Sequence, residues 1–328
     1  MDNSALVVKE NKLLSPLTAG VRGITSPSVK YLMSLQSKES RITMRYHLNK
    51  VAALCGQGSE HQFVDWSIMN SELVMLIRSK LVEDGLAPTT INAILCAIRK
   101  TCEFLFLDNG LSAEDLKRIE LVRNIKATRL RPDRELNSKE IKAYVAFCES
   151  RGLSGLRDKA IFLLMLSTGI RRSECANLKL KDLDLNKTRI VINGKGQKQR
   201  LAAPNDEIIT LLKEYIEEVR YEANENEYLF VGFTKSDEPK VTKDNSDPKG
   251  LEKTSINYIF TERAKNAGIK PFKPHDLRRT FATKLLRDGA DLTLVQHLLG
   301  HENFATTVLY DLRKSEEALE LGRNHSVY

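Results

Sequence analysis

The chain has 328 residues, about two domains by length, and is 41% hydrophobic and 29% charged, a folded, soluble composition rather than a disordered one. Its 51 Lys+Arg against 43 Asp+Glu leave a net charge of +8, an excess that fits a polyanionic partner or ordinary solubility charge equally well. No run approaches the ~18 apolar residues of a membrane span, and the N-terminus lacks the basic-then-apolar pattern of a signal peptide, so a cytoplasmic protein without a membrane partner is expected.

Residues 1–25 are weakly patterned and read as a flexible leader, ordered at most on a partner. Apolar residues at three-to-four spacing (Tyr31, Leu32, Leu35, Met44, Leu48, Val51, Leu54) predict helix across 27–55, and a second amphipathic helix covers 68–83 and ends at Gly85. Pro88-Thr89-Thr90 opens the next helix, about 89–108, with Thr89 or Thr90 as cap. Residues 26–122 thus read as one all-helical domain. Arg99 and Lys100 lie off the apolar stripe of its last helix, either as a solvated face or, if the second domain binds DNA, as phosphate contacts. Residues 123–137 are basic, with Arg123, Lys126, Arg129, Arg131 and Arg134, and Pro132 interrupts any helix. They read as an interdomain linker able to lie along a phosphate backbone, with Arg129 and Arg131 as candidate contacts.

The second domain, 138–328, opens with a helix capped by Asn137 or Ser138, with Glu140 in its first turn. An apolar helix at 154–169 ends at Gly169. Arg189-Ile190-Val191-Ile192 and Gln199-Arg200-Leu201-Ala202 flank a glycine-rich turn and predict a hairpin. Helix 206–221 follows, then the short apolar run 228–231, then a polar, mobile loop at 234–253. Further helices are expected at 254–267, 275–288, 291–299, 303–310 and 312–322. The five cysteines, Cys55, Cys96, Cys102, Cys148 and Cys175, include no CxxC pair and read as reduced core residues.

Several side chains form a chemical set. Arg171 starts a helix straight after Gly169, with Glu174 three residues on to hold its guanidinium. Lys195 sits at the tip of the hairpin. His275 and Arg278 share one helix face, and His301 and Tyr310 follow. Each has an ordinary reading: a surface ion pair, a turn lysine, a capping histidine, a core tyrosine. His297 and His301 have the i, i+4 spacing of a zinc helix, but Leu298 occupies the place of the motif's glutamate and Gly300 is expected to break the helix between them, so no metal is assigned. Two arginines suit the non-bridging oxygens of a pentacoordinate phosphorus, a lysine suits a leaving oxygen, and a phenol is a nucleophile.

In this order and at these spacings, TGIRRSE around Arg171, NGKGQKQR around Lys195, HDLRRTFAT around His275 and Arg278, and LGHENFATTVLY around His301 and Tyr310 resemble the boxes of the tyrosine recombinases, the phage integrase family, and in particular its Xer-type and mobile-element integrases. The resemblance implies a mainly α fold with a small β-sheet in the catalytic domain: a helical core-binding domain joined to a mixed α/β catalytic domain in a clamp around duplex DNA. It implies a site-specific recombinase whose Tyr310 attacks the scissile phosphate, with Arg171 and Arg278 stabilising the phosphorane. Lys195 would protonate the 5′-oxygen, His275 assist proton transfer and His301 hydrogen-bond the phosphate. It implies no cofactor, a homotetramer on two DNA sites or one shared with a related recombinase, and a C-terminal helix that packs on a neighbouring protomer. A DNA-relaxing type IB topoisomerase and a non-catalytic DNA-binding accessory protein are the alternatives.

Overall fold

The structure, a computed structural model, describes residues 26–126, 134–194, 199–240 and 250–300. The chain divides into two compact units on either side of the Leu130–Arg131 bond. It is mainly helical with one small antiparallel sheet, the class expected. No described helix is long and apolar enough to cross a membrane.

The first unit is helical throughout its described residues: α1 (Pro27–Ser34), α2 (Lys38–Leu54), α3 (Ser71–Glu83), α4 (Pro88–Leu107) and α5 (Ala113–Glu120). α4 is its axis, with Ile91, Ile94, Leu95, Ile98 and Cys102 buried on one stripe and α1, α2, α3 and α5 packed around it. Burial of this stripe contributes roughly 2 kcal/mol per large side chain. The single helix expected over 27–55 is two helices. Leu35 and Ser37 adopt extended backbone, and the Ser37 side chain accepts from the Ser40 N–H, starting α2 afresh. A serine offers the backbone this alternative bond, so periodicity alone cannot see the break. Ala87, not Thr89 or Thr90, occupies the cap of α4, because Pro88 takes the first helical position, where no N–H is needed. α5 was not foreseen. It is one short turn-pair with only Ile119 buried, too few apolar residues to show a period, and it is begun by Ser112 accepting from Asp115.

The second unit comprises α6 (Ser138–Glu149), α7 (Gly152–Thr168), the short α8 (Arg172–Ala176), β1 (Leu183–Asp184), β2 (Arg189–Asn193), β3 (Gln199–Ala202), α9 (Asp206–Val219), α10 (Lys253–Asn266), α11 (Pro274–Arg287) and α12 (Leu292–Leu299). The expected cap of α6 is a reciprocal box: Asn137 accepts from the Glu140 N–H, and Glu140 accepts from the Asn137 N–H. Residues 134–137, at the end of the expected linker, pack onto this unit. Leu136 is 3% exposed and donates its N–H to Thr280 Oγ1, and Arg134 pairs with Glu140.

α7 runs through the core against α6, α9 and α11. Rings of Tyr144 and Phe162 stack at 4.2 Å, with Phe260 and Phe272 edge-on around them, a geometry worth about 1 kcal/mol per pair beyond burial. Asp158, fully buried in α7, takes Arg157 at 2.6 Å and Arg263 of α10 at 2.7 Å. A buried carboxylate is tolerated only when so paired, and this one fixes α7 in rotation against α10. β2 pairs antiparallel with β1 and β3, with Ile190 opposite Ala202 and Ile192 opposite Arg200. This is the expected hairpin with one extra short strand. Residues 234–238 form a hydrogen-bonded turn, and 241–249 of the expected loop lie outside the described residues, as do the leader 1–25 and the helices expected at 303–310 and 312–322.

Candidate active site

Two helix ends build the site. α7 stops at Gly169 (φ 61°, ψ 20°) and α12 stops at Gly300 (φ 62°, ψ 48°), both left-handed caps. A helix C-terminus leaves carbonyls without intrahelical donors and carries the negative end of the helix dipole. Here arginines fill those carbonyls. Arg278 of α11, 3% exposed, donates from Nη1 to Gly169 O at 2.6 Å and from Nη2 to Leu299 O at 2.7 Å, joining the two helix ends. Arg171 donates from Nη2 to Gly300 O at 2.7 Å. The helix thus ends at Gly300 as expected, with His297 exposed in its last turn.

Glu174, with its side chain 6% exposed, is the hub on the other side. It accepts from the Arg171 N–H at 2.8 Å and from Arg171 Nη1 at 2.7 Å. It also accepts from Arg200 Nη1 at 3.0 Å and Nη2 at 2.8 Å. Burial alone would raise its pKa. The hydrogen bonds from Arg200 and Arg171 outweigh burial and hold the carboxyl down at about 2, so it is ionised at neutral pH. Two guanidiniums on one carboxylate leave a net charge of +1 there, and Arg278 adds a further positive charge on the neighbouring helix-end carbonyls. The Arg171 side chain is 40% exposed, so the cluster opens to solvent along that residue. An anion with two acceptor oxygens is the ligand this geometry suits.

Of the residues singled out in sequence, Arg171 and Arg278 therefore converge on adjacent carbonyls, 107 positions apart in the chain. His275 lies exposed on α11, one turn before Arg278 on the same face. Lys195, His301 and Tyr310 lie outside the described residues, as do Arg129 and Arg131. β2 and β3 bracket Lys195 in sequence, and Gly300 directly precedes His301. In the first unit Arg99 bonds Asn124 Oδ1 at 3.0 Å and the Val122 carbonyl, tying α4 to the chain after α5. Lys100 pairs with Glu103 at 2.7 Å on the surface.

Arg200 belongs to the cluster although neither spacing nor motif singles it out. An arginine in a strand beside a leucine suggests a polar outward residue, yet Leu201 faces solvent and Arg200 is turned inward. The signal lies in the register: Arg200 shares the face of Ala202 and opposes Ile192, whose neighbours are core. Strand parity reads it only once the pairing is known.

Gly169 is the hinge of the arrangement. A Cβ there would meet Phe281 Cδ1 at 2.6 Å and Leu299 Cδ2 at 2.7 Å, at a positive φ. Gly169→Ala is expected to cost about 2–5 kcal/mol, adding a left-handed penalty of about 1–2 to overpacking of about 1–3. Urea unfolding checks this, and an unchanged midpoint would contradict it.

The Phage integrase family profile matches residues 134–317 of the chain, which include all six residues of the set. The chain is 30% identical over 265 residues to the tyrosine recombinase XerD of Listeria monocytogenes, covering 76% of this chain and 84% of that protein. It is 33% identical over 228 residues to the tyrosine recombinase XerD of Lacticaseibacillus casei, covering 69% and 73%. Among solved structures, the Tn1549 transposon integrase in complex with transposon right end DNA is similar with a TM-score of 0.66 at 17% identity, over 92% of this chain and 99% of that one. The XerH site-specific recombinase bound to palindromic difH substrate gives 0.59 at 22% identity, over 87% and 78%. At these identities the structural likeness speaks for the fold, and the sequence relatives speak for kinship.

Proposed function

The chain belongs to the phage integrase family and is a site-specific tyrosine recombinase that exchanges DNA strands through a phosphotyrosyl intermediate, and we propose that Tyr310 is its nucleophile. Arg171 and Arg278 take the two non-bridging oxygens of the phosphorane, Lys195 protonates the departing 5′-oxygen, His275 assists proton transfer and His301 hydrogen-bonds the phosphate. The observation that carries this reading is the meeting of Arg171 and Arg278 at the ends of α7 and α12, on consecutive carbonyls of Leu299 and Gly300. Preorganised cations aimed at a developing charge need no reorganisation when the charge appears. Helix-end carbonyls hold both guanidiniums, and Glu174 holds that of Arg171 as well.

The reaction exchanges one phosphodiester for another, so it needs neither a nucleotide cofactor nor a metal. The phenol suits this reversibility. With an ordinary pKa near 10, tyrosine leaves more readily than a sugar hydroxyl when the second strand attacks. We propose duplex DNA as the substrate, a homotetramer on two sites, alone or with a related recombinase, as the working assembly, and the cytoplasm as its location. Arg99, Lys100, Arg129 and Arg131 are proposed backbone contacts. The Lys100–Glu103 pair is a surface pair of small worth and can be exchanged for a phosphate.

The test uses a duplex recovered by covalent capture from a randomised library, nicked beside the cleaved position so that the short fragment is lost. The wild-type chain is expected to form an adduct that survives denaturing electrophoresis, in the presence of a chelator and without nucleotide. Two such sites on separate duplexes should yield recombinant strands. Relaxation of supercoiled DNA without strand exchange would point instead to a topoisomerase, and binding without an adduct to an accessory protein.

A further inference from the structure

Arg200 has no part in the chemistry set out above, yet all three of its guanidinium nitrogens are hydrogen-bonded. Its side chain is 10% exposed. Both of its Nη atoms reach the two oxygens of Glu174, at 3.0 and 2.8 Å. Its Nε donates to Leu298 O at 3.1 Å, and its Cδ is the nearest atom to the space beside the Gly300 Cα. It sits on β3, the strand that follows the lysine hairpin, five residues after Lys195.

We propose that Arg200 is a positioning residue for strand cleavage: it locks Glu174, Glu174 orients Arg171, and the bond to Leu298 O fixes the lysine hairpin's strand to the end of α12. This rests on the strand-transfer reading above. A carboxylate alone can rotate about its side chain and meet Arg171 in several ways. A bidentate guanidinium on the opposite side leaves it one plane, and Arg171, bonded to Glu174 by both its backbone and its Nη1, is then aimed by that plane. The same residue keeps Glu174 ionised, since its hydrogen bonds are the largest influence opposing burial. The chain of contacts, β3 to Glu174 to Arg171 and β3 to α12, brings together three stretches that the sequence keeps apart.

The test compares wild type, Arg200→Ala and Arg200→Lys in single-turnover adduct formation on the captured nicked duplex, with affinity by gel shift and urea melts in parallel. Arg200→Ala should form the adduct about 10–100-fold more slowly, the scale of a reacting group displaced by about 1 Å. Affinity for the duplex should move far less than the rate. Arg200→Lys, which keeps charge and stem but can reach only part of the same set of acceptors, should recover part of the rate. With Arg200 gone, burial of Glu174 is opposed only by Arg171, so the variant's rate should fall from pH 7 to pH 5 more steeply than the wild type's.

A methylphosphonate at the scissile position, which removes one non-bridging charge and with it part of the demand on Arg171, should narrow the gap between Arg200→Ala and wild type. The proposal is overturned if Arg200→Ala cleaves at the wild-type rate, or if rate, affinity and melting midpoint fall together and Arg200→Lys restores none of them. It is also overturned if the gap closes only on a 5′-bridging phosphorothiolate, whose leaving group needs no proton, since Arg200 would then serve Lys195 alone. Absence of an adduct from the wild type itself would instead count against the strand-transfer reading.

Discussion

Tyr310→Phe is expected to leave binding to the captured duplex intact and to abolish the covalent adduct. The substitution removes one oxygen and keeps the ring, so whatever the ring packs against is retained, and the phosphate contacts that dominate affinity come from other residues. Chemistry is another matter. No other group in the proposed set can form a stable phosphoester at that position: arginines are too weak as nucleophiles, and Lys195, His275 and His301 have proton or charge roles. The loss should therefore be total within the sensitivity of the gel, rather than a reduced rate. The measurement is denaturing electrophoresis of end-labelled duplex with the two proteins at equal occupancy. An adduct that persists in Tyr310→Phe means that the nucleophile is a different residue, and peptide mapping of that adduct would identify it.

Arg278→Ala should damage both stability and rate, and the two losses come from different atoms. The guanidinium is 3% exposed and donates to Gly169 O and Leu299 O. Its removal leaves two helix-end carbonyls short of a donor, at about 1–3 kcal/mol for each buried group left unsatisfied. The same variant loses one of two cations proposed to face the phosphorane, which by analogy with a lost oxyanion donor costs about 10²–10³ in rate. Urea unfolding reads the first loss and single-turnover adduct formation the second. Arg278→Lys separates them further. It keeps a charge but cannot span two carbonyls with one fork, so the rate should recover more than the stability. Cleavage at the wild-type rate by Arg278→Ala, with stability reduced, would make Arg278 a structural tie between α7 and α12 and remove it from the chemistry.

How far these residues were visible without a structure follows from the range of each interaction. The capping box of Asn137 and Glu140 spans three residues, and it is present as read. Gly169 and Gly300 end their helices as read, because a left-handed cap strongly favours a residue without Cβ. The β2–β3 hairpin is legible from its β-branched run around a glycine turn. The break at Leu35–Ser37 is not, because a serine inside an apolar period can either ride the helix or cap a new one, and only packing around α4 decides. Arg99 was readable as off the apolar stripe, but its bonds to Val122 and Asn124 depend on where α5 returns the chain.

By itself the sequence determines the chemical inventory. The arginines, lysine, histidines and tyrosine are named by their spacing and by a family resemblance that the profile match confirms, and the helix ends that deliver Arg171 and precede His301 are encoded in local glycines. Tertiary structure alone decides which side chains share a carboxylate. Arg171 and Arg200 are 29 positions apart, and Arg278 and Gly169 are 109 apart. Their meeting depends on the register of β3 on β2 and on the rotation of α7 set by the Asp158 pairs. Those are long-range choices made by burying Ile190, Ile192 and the aromatic cluster, and no local pattern of residues carries that information.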